Sequence, residues 1–465
     1  MIRSLPESAA HDALRGYVAL AYTESLGSGA ATDEFLHRWF RLHPGIAFKA
    51  RAFVASAVYA LLRARMATCC LMAWADREPP PADAEVPIAD PRHEGAAALL
   101  RWLMVDCGAP AEKAYALAIQ AFLSVRQAGH SDAVPADLPV FLLAFANRVR
   151  NDQDLRRLPP FLLRVATASV TPEYLRRQEG LLGEEAAFEL ALSLRVPAPL
   201  CLRINRTHAD REAILRTPGA KVFLAQRARW SPDGLVLGVK KRLSEWEGLK
   251  PGDFEIQDEG SQLISCAVAP ERGGRVLDAC AGEGGKTIAL ADLMGGSGAV
   301  IAHDLDAGRM AGLAGRAERA RLSNVQVIAP GTAAAHGPYD AVLIDAPCLG
   351  LGRARRDPAV MWRGGSIADR LPAMTAAQGD CVREYARLVR PGGVLVYATC
   401  STEPEETTGI LAGLGDDFAG EALPGPFDQT GFPRAASNEQ HRCVLLPSTH
   451  GTDGFFVARF RRLRD

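Results

Sequence analysis

Nowhere in this sequence do about 18 uncharged apolar residues follow one another, so no membrane-spanning helix is expected. The opening residues, MIRSLPESAAHDALRGYV, lack a charged leader followed by an apolar block, and no signal peptide is read there. Ten cysteines are present, but there is no CxxC pair and no His/Cys cluster. That spacing disfavours a disulfide framework and a zinc site; reduced thiols in a cytoplasmic, metal-free monomer are expected instead. A strong net charge is missing too, since the total is −1.

The total hides an uneven distribution. Residues 141–250 hold 19 Lys and Arg against 12 Asp and Glu, a net of +7 that leaves −8 for the remainder. Within this region AQRARWSPDGLVLGVKKRLSEW sets Arg227, Arg229, Lys240, Lys241 and Arg242 beside Trp230 and Trp246. Basic groups next to flat rings suit phosphate contact and base stacking in RNA. A solvated face over two core tryptophans is the plainer alternative.

The 465 residues are 48% hydrophobic and 23% charged, the composition of a globular chain of several domains. Residues 1–165 read as helical: DALRGYVALAYTES, EFLHRWFRL, RAFVASAVYALLRARMATCCLMAWA and GAAALLRWLMV repeat apolar residues at three- and four-residue spacing. Cys69 and Cys70 fall within that pattern as core positions, and Arg77 to Pro91 is a Pro-rich acidic loop. Residues 166–250 predict a small α+β domain, with short strands in PLCLRINRT, KVFLAQ and GLVLGV and a helix in HADREAILRT. From 251 to 465, strands such as GGRVLDAC, GAVIAHD, YDAVLIDAP and GGVLVYATC alternate with helical segments. That alternation predicts a doubly wound, mainly parallel α/β sheet of Rossmann-like type.

The first chemical motif is VLDACAGEGGKT, Val276 to Thr287, a strand followed by a glycine-bearing turn and a helix start. Glycines admit a ligand close to the backbone, and a helix N-terminus favours a negative group. The spacing is neither GxGxxG nor GxxxxGK[ST], so neither a dinucleotide nor ATP is the natural ligand. A second strand, AVIAHDLD, ends at Asp304, which can accept hydrogen bonds from both hydroxyls of a ribose. Together they specify an adenosine-type ligand without a phosphate, and S-adenosylmethionine fits. Two further strands deliver a thiol to their ends: Cys348 in VLIDAPCLGLG and Cys400 in VYATCST. Either could be a small buried hydrophobe, but both lie where open α/β sheets place their chemistry.

LDACAGEGGKT, LIDAPCLGLGRARRDP, VYATCSTEPEE and DGFFVARF, in this order, resemble the RNA cytosine-5 methyltransferase family that includes bacterial Sun/Fmu. LRINRTHADR and FEIQDEGSQLI are also similar to family segments, so the likeness runs from about residue 200 to about 460. The helical N-terminus is similar to the NusB-like domain that bacterial small-subunit ribosomal RNA methyltransferases of this family carry. The resemblance implies that Cys400 adds to carbon 6 of a cytosine, making carbon 5 nucleophilic toward the methyl of S-adenosylmethionine. It implies that Cys348 helps expel the adduct and that Asp345 faces cytosine N3 while also touching the cofactor. Lys286 is placed to lower a nearby thiol's pKa. The cofactor turn would be Cys280, Ala281, Gly282, Glu283, Gly284, Gly285 and Lys286, with Asp304. Arg355 and Arg356, in GRARRDP, resemble a substrate-side loop and suit RNA phosphate. Asp453 to Phe456 reads as support for the sheet edge.

The chain departs from the family pattern in places. Glu283 stands where a proline is usual, and would repel the cofactor's carboxylate unless it points outward. The third strand leads to Gly331 rather than an acid, Leu349 replaces a small polar residue, and Thr407 replaces Asn. Ribosomal RNA is the expected substrate, with 16S favoured and transfer RNA as an alternative. A catalytically weak RNA-binding assembly factor is a second alternative. A DNA cytosine methyltransferase, which would use Cys348 as nucleophile, is disfavoured by the extra thiol of Cys400.

Overall fold

A computed structural model describes residues 9–74, 90–106, 158–239, 241–433 and 439–463, with a few positions between 114 and 145. The Pro-rich loop expected at 77–91 lies almost wholly outside the described residues, as do Lys240 and the side chain of Cys70. The chain forms two compact units. One comprises 1–196 with 354–367, the other 197–353 with 368–465.

The first unit is helical in its described residues. Helices span Ala9–Gly27, Thr32–Leu42, Phe48–Arg63, Arg65–Trp74, Pro91–Arg101, Pro160–Ala168, Pro172–Leu182 and Glu184–Arg195. Their apolar stripes meet in a core that includes Val18, Trp39, Val58, Leu62, Leu99 and Trp102. Inside it the Arg65 guanidinium holds Glu94 at 2.6 Å, and the Tyr22 hydroxyl donates to the same carboxylate at 2.7 Å. The helical part therefore continues past the expected boundary at 165. Thr171 caps the Pro172–Leu182 helix by accepting from the Tyr174 N–H at 3.1 Å, and Gly183 ends it. The segment 354–367 lies in sequence within the second unit's part of the chain, yet it packs with the helical unit. Ala359 joins the helical core, and the Asp357 carboxylate accepts from the Thr32 hydroxyl at 2.7 Å.

The second unit begins with a four-stranded antiparallel sheet: β1 (Leu200–Ile204), β2 (Ala225–Arg227), β3 (Gly234–Leu237) and β4 (Phe254–Ile256), in the order β2-β3-β1-β4. The α+β character expected for 166–250 thus starts at about 200 and ends only with β4. Trp246 and Phe223 stack 4.9 Å apart in this sheet's core.

The larger sheet carries β5 (Arg275–Asp278), β6 (Ala299–Ala302), β7 (Val325–Val327), β8 (Tyr339–Asp345), β9 (Val389–Thr399), β10 (Phe418–Gly420), β11 (Arg442–Leu445) and β12 (Phe455–Arg462). The order is β10-β12-β9-β8-β5-β6-β7, with β11 also on β12. β5 to β9 are mutually parallel, and β12 runs antiparallel to β9. Alternation sends Val276, Leu343 and Val396 to one buried face and Leu277, Val342 and Leu395 to the other, as a sheet covered on both sides requires. The chain steps outward from β5 through β6 to β7, then returns to β8 on the far side of β5. That reversal opens a crevice at the carboxyl ends of β5 and β8, where such sheets bind ligands. Among the described residues no helix is long and apolar enough to cross a membrane, and no group of three or more His, Cys, Asp or Glu is placed to hold a metal.

Candidate active site

Four strand ends converge on this crevice. β5 ends in Asp278, which is fully buried and accepts from the Thr287 hydroxyl at 2.7 Å; its other oxygen, Oδ1, is buried with no hydrogen-bond partner. Burial pushes the Asp278 carboxyl up to about 7, with Thr287 opposing and Asp345 adding to the shift. In the turn that follows, Gly282 and Gly284 have φ of +52° and +84°, a backbone that suits glycine. A Cβ at Gly284 would lie 1.9 Å from Leu313 Cδ1, so side chains are excluded there twice over. The helix Gly285–Leu293 starts immediately beyond.

β6 brings Asp304 to this turn. Its Oδ2 accepts from the Gly282 N–H at 2.8 Å and its Oδ1 from the Asp306 N–H at 2.9 Å, while Arg309 stands 3.6 Å away. Two backbone donors fix the rotamer, and a carboxylate retains lone pairs for further donors such as ribose hydroxyls. Glu283 is exposed and its backbone carbonyl accepts from Arg316 at 2.6 Å, so the turn tolerates the extra acid by directing it to solvent. Where an acid was missing after the third strand, the Gly331 N–H donates to His303 Nε2 at 2.9 Å. Nε2 must then accept, so Nδ1 carries the hydrogen and donates to the Ala279 carbonyl at 3.0 Å. His303, buried and not expected from sequence, thereby ties the β5, β6 and β7 ends together.

β8 and β9 bring the remaining expected residues together. Lys286 Nζ donates to Asp345 Oδ2 at 2.6 Å and lies 5.9 Å from the Phe455 ring centre. Burial would lower the Lys286 ammonium, but the Asp345 carboxylate outweighs it and the pKa rises. The Cys348 and Cys400 sulfurs are 3.2 Å apart, and both thiols are half-buried and reduced. Their surroundings differ. The Cys400 thiol is lowered chiefly by its hydrogen bond with Cys348, against burial, and the positive charges of Arg353 and Lys286 lower it further while Asp345 raises it. Cys348 is raised by that same bond, by burial, and by the negative charges of Glu406 and Asp345. Either sulfur can donate the hydrogen bond they share, and the positive charges beside Cys400 with the negative charges beside Cys348 favour the thiolate at Cys400. Cys280, in the turn, is raised by its hydrogen bond to Cys381 and by burial. The expected support from Asp453 to Phe456 is present. The Gly454 N–H donates to the Gly352 carbonyl at 2.8 Å, and the Gly352 N–H donates to the Cys400 carbonyl at 3.0 Å.

The residues expected to contact RNA are not so grouped. Arg355 is only 6% exposed and belongs to the helical unit, so a phosphate contact from its guanidinium is not available; Arg356 is half-buried in the same unit. Arg227, Arg229, Lys241 and Arg242 are exposed, but Arg227 is bidentate with Glu212 and its charge is already matched. Trp230 and Trp246 are core residues, so base stacking on their faces is corrected to packing; Arg229 covers the Trp230 ring at 4.4 Å.

Asp304, the glycine turn and the orphaned Asp278 Oδ1 together fit a nucleoside carrying a cationic tail, on the strand order of a doubly wound sheet. Fold and site define an S-adenosylmethionine-dependent methyltransferase. Residues 265–461 match the family described as 16S rRNA methyltransferase RsmB/F. The chain is 31% identical over 322 residues to ribosomal RNA small subunit methyltransferase B of Xylella fastidiosa, covering 68% of this chain and 72% of that protein. It is 29% identical over 291 residues to the mouse 28S rRNA (cytosine-C(5))-methyltransferase, covering 57% of this chain and 35% of that one. Among solved structures, a methyltransferase homolog protein from Pyrococcus horikoshii superposes with a TM-score of 0.56 at 26% identity, over 66% of this chain and 99% of that one. The chain belongs to the RsmB/F family of 16S rRNA methyltransferases. It spans 60% to 74% of the length of the first bacterial relatives it matches.

Proposed function

We propose that this protein methylates carbon 5 of a cytosine in RNA, with 16S ribosomal RNA as substrate, through a covalent Cys400 adduct at carbon 6. The observation that carries this reading is the pair of thiols 3.2 Å apart with opposite electrostatic surroundings, beside the Lys286–Asp345 pair. A thiolate at Cys400 adds to carbon 6. The Lys286 ammonium nitrogen lies 2.6 Å from Asp345 Oδ2, and the pair can pass a proton toward cytosine N3 as negative charge develops there. Bound S-adenosylmethionine supplies the electrophilic methyl, and Asp304 with the turn from Cys280 to Lys286 would hold it. Once water has taken the carbon 5 proton, the carbon 6–sulfur bond breaks and Cys400 leaves as a thiolate, with Cys348 supporting that expulsion. The helical unit and the exposed Arg229, Lys241 and Arg242 serve RNA engagement.

The test separates the two cysteines. Cys400→Ala is expected to abolish both turnover and the protein–RNA adduct. Cys348→Ala is expected to accumulate an adduct visible on a denaturing gel, because addition proceeds while release fails. A trapped band in Cys400→Ala and none in Cys348→Ala would reverse the assignment.

A further inference from the structure

Both peptide units that flank Cys348 are held by two side chains to which no role has yet been given: Gln378, and Glu406 at the end of the VYATCSTEPEE segment. Gln378, on the Ile367–Tyr385 helix, donates from Nε2 to the Pro347 carbonyl at 2.7 Å, the oxygen of the peptide preceding Cys348. Glu406, in the short turn Pro404–Glu406 after β9, accepts from the Leu349 N–H at 2.8 Å, the donor of the peptide following Cys348. The two are joined, since Gln378 Nε2 also donates to Glu406 Oε1 at 3.0 Å. The Tyr397 hydroxyl, from within β9, donates to the Glu406 backbone carbonyl at 2.8 Å. Both side chains are fully buried, and Gln378 Oε1 has no hydrogen-bond partner; burial raises the Glu406 carboxyl while hydrogen bonds from Ser401, Leu349 and Gln378 oppose it. A fully buried carboxylate is an unfavourable way merely to brace a loop, because an amide or apolar residue would avoid the desolvation.

We propose that Glu406 and Gln378 form a positioning pair that fixes Cys348 through both of its peptide units, and that the Glu406 charge decides which of the two cysteines acts as nucleophile. This rests on the cysteine chemistry proposed above. The charged and titratable groups around the sulfurs divide by side. Arg353 and Lys286 act on Cys400, Glu406 acts on Cys348, Asp345 acts on both, and Arg370 acts on Glu406 itself. Burial pushes the Glu406 carboxyl up against the donors that hold it, so its charge depends on those donors. Removing the charge reduces the asymmetry between the sulfurs, and removing the Gln378 donor releases the turn that aims Cys348.

Site-resolved alkylation by iodoacetamide tests this on the full-length protein without RNA, with mass spectrometry reading each cysteine across pH 6 to 9. In the parent protein Cys400 is expected to react first. Glu406→Gln is expected to lower the Cys400-to-Cys348 rate ratio roughly tenfold, the effect of about one unit in relative thiol pKa. Glu406→Asp, which keeps the charge, is expected to restore much of the ratio. Gln378→Met, which keeps volume and loses the donors, is expected to lower kcat and accumulate adduct while KM for RNA holds. It also covers the case in which Glu406→Gln fails to fold. An unchanged ratio in a folded Glu406→Gln protein, or a Gln378→Met protein with parental kcat, would overturn the proposal. Because alkylation needs no methyl transfer, a lowered ratio in a protein that methylates no RNA would refute the methylation reading and leave the positioning pair standing.

Discussion

At the scale of single residues, the site is governed by which charges lie beside which acid. Asp278 holds its proton to about pH 7 in the fold, against an ordinary value of 3.8. Between those values the unfolded chain releases its proton while the folded one keeps it, so stability falls as pH rises and levels off above about 7. The fall is at most about 1.4 kcal/mol per pH unit. Urea melts of the cofactor-free protein at pH 5 and pH 8 should show this loss, and Asp278→Asn, which still offers Thr287 an acceptor, should flatten it. Equal slopes in the two proteins would mean that Asp278 is ionised throughout. Asp304 answers a different question. Asp304→Ala removes a charged acceptor positioned by the Gly282 and Asp306 N–H groups. One such bond is worth about 1.5–3 kcal/mol, so S-adenosylmethionine affinity should drop roughly 10- to 150-fold by calorimetry. Unchanged affinity would remove Asp304 from the site.

At the scale of elements, the small sheet is secured to the helix behind the glycine turn by one buried carboxylate. Asp292, on Gly285–Leu293, accepts from Arg203 Nη1 at 2.9 Å, from the Arg206 N–H at 3.0 Å and from the Thr207 N–H at 2.9 Å. Arg203 comes from β1, so the LRINRT segment is a structural anchor in which the Arg203 guanidinium serves Asp292 and the Arg206 guanidinium pairs with Asp233. Asp292→Ala would leave the buried Arg203 guanidinium without its carboxylate, keeping only the Gln257 acceptor, and would free the Arg206 and Thr207 N–H groups. Such breaks cost about 3–5 kcal/mol, readable as a lower denaturation midpoint. Arg203→Met with Asp292→Leu should recover much of that loss, because the charges leave together; a double variant no better than Asp292→Ala would place the cost elsewhere. The Gly352–Gly454 contact is the counterpart at the other end of the sheet. A Cβ on Gly352 would sit 2.1 Å from the Gly454 carbonyl oxygen, so backbone must meet backbone for Gly352 to reach the Cys400 carbonyl.

At the scale of the whole molecule, a chain of net charge −1 concentrates +7 in residues 141–250. If Arg229, Lys241 and Arg242 each meet a phosphate, neutralising all three should reduce the slope of log K against log salt by about 2 for single-stranded RNA. Neutralising Arg227 should change it far less, because Glu212 already matches that charge. Filter binding of a ribosomal RNA fragment across a salt series reads both, with cofactor affinity expected to stay constant. Equal slopes in parent and triple variant would make these residues solvated charges only.

Several features were determined by the sequence itself. Strand periodicity, the glycine turn and the thiols following apolar runs depend on neighbours a few residues away, so the sheet class and the placing of Cys348 and Cys400 at strand ends were legible, while the roles of Cys400, Cys348 and Asp345 were implied only by the family resemblance. Thr171-Pro172 and Gly183 were readable helix signals too, and the boundary at 165 passed over them. Other features depended on contacts between distant residues. Whether Trp230 and Trp246 face solvent or core cannot be told from the arginines beside them, because a tryptophan satisfies either by turning one ring. Arg355 looks exposed in a basic turn, and is buried because 354–367 packs with helices more than 150 positions earlier. Gln378, Glu406, His303 and Asp292 carry no local signature, since a buried polar side chain is defined by the partner that satisfies it, and only the tertiary structure brings those partners within hydrogen-bond reach.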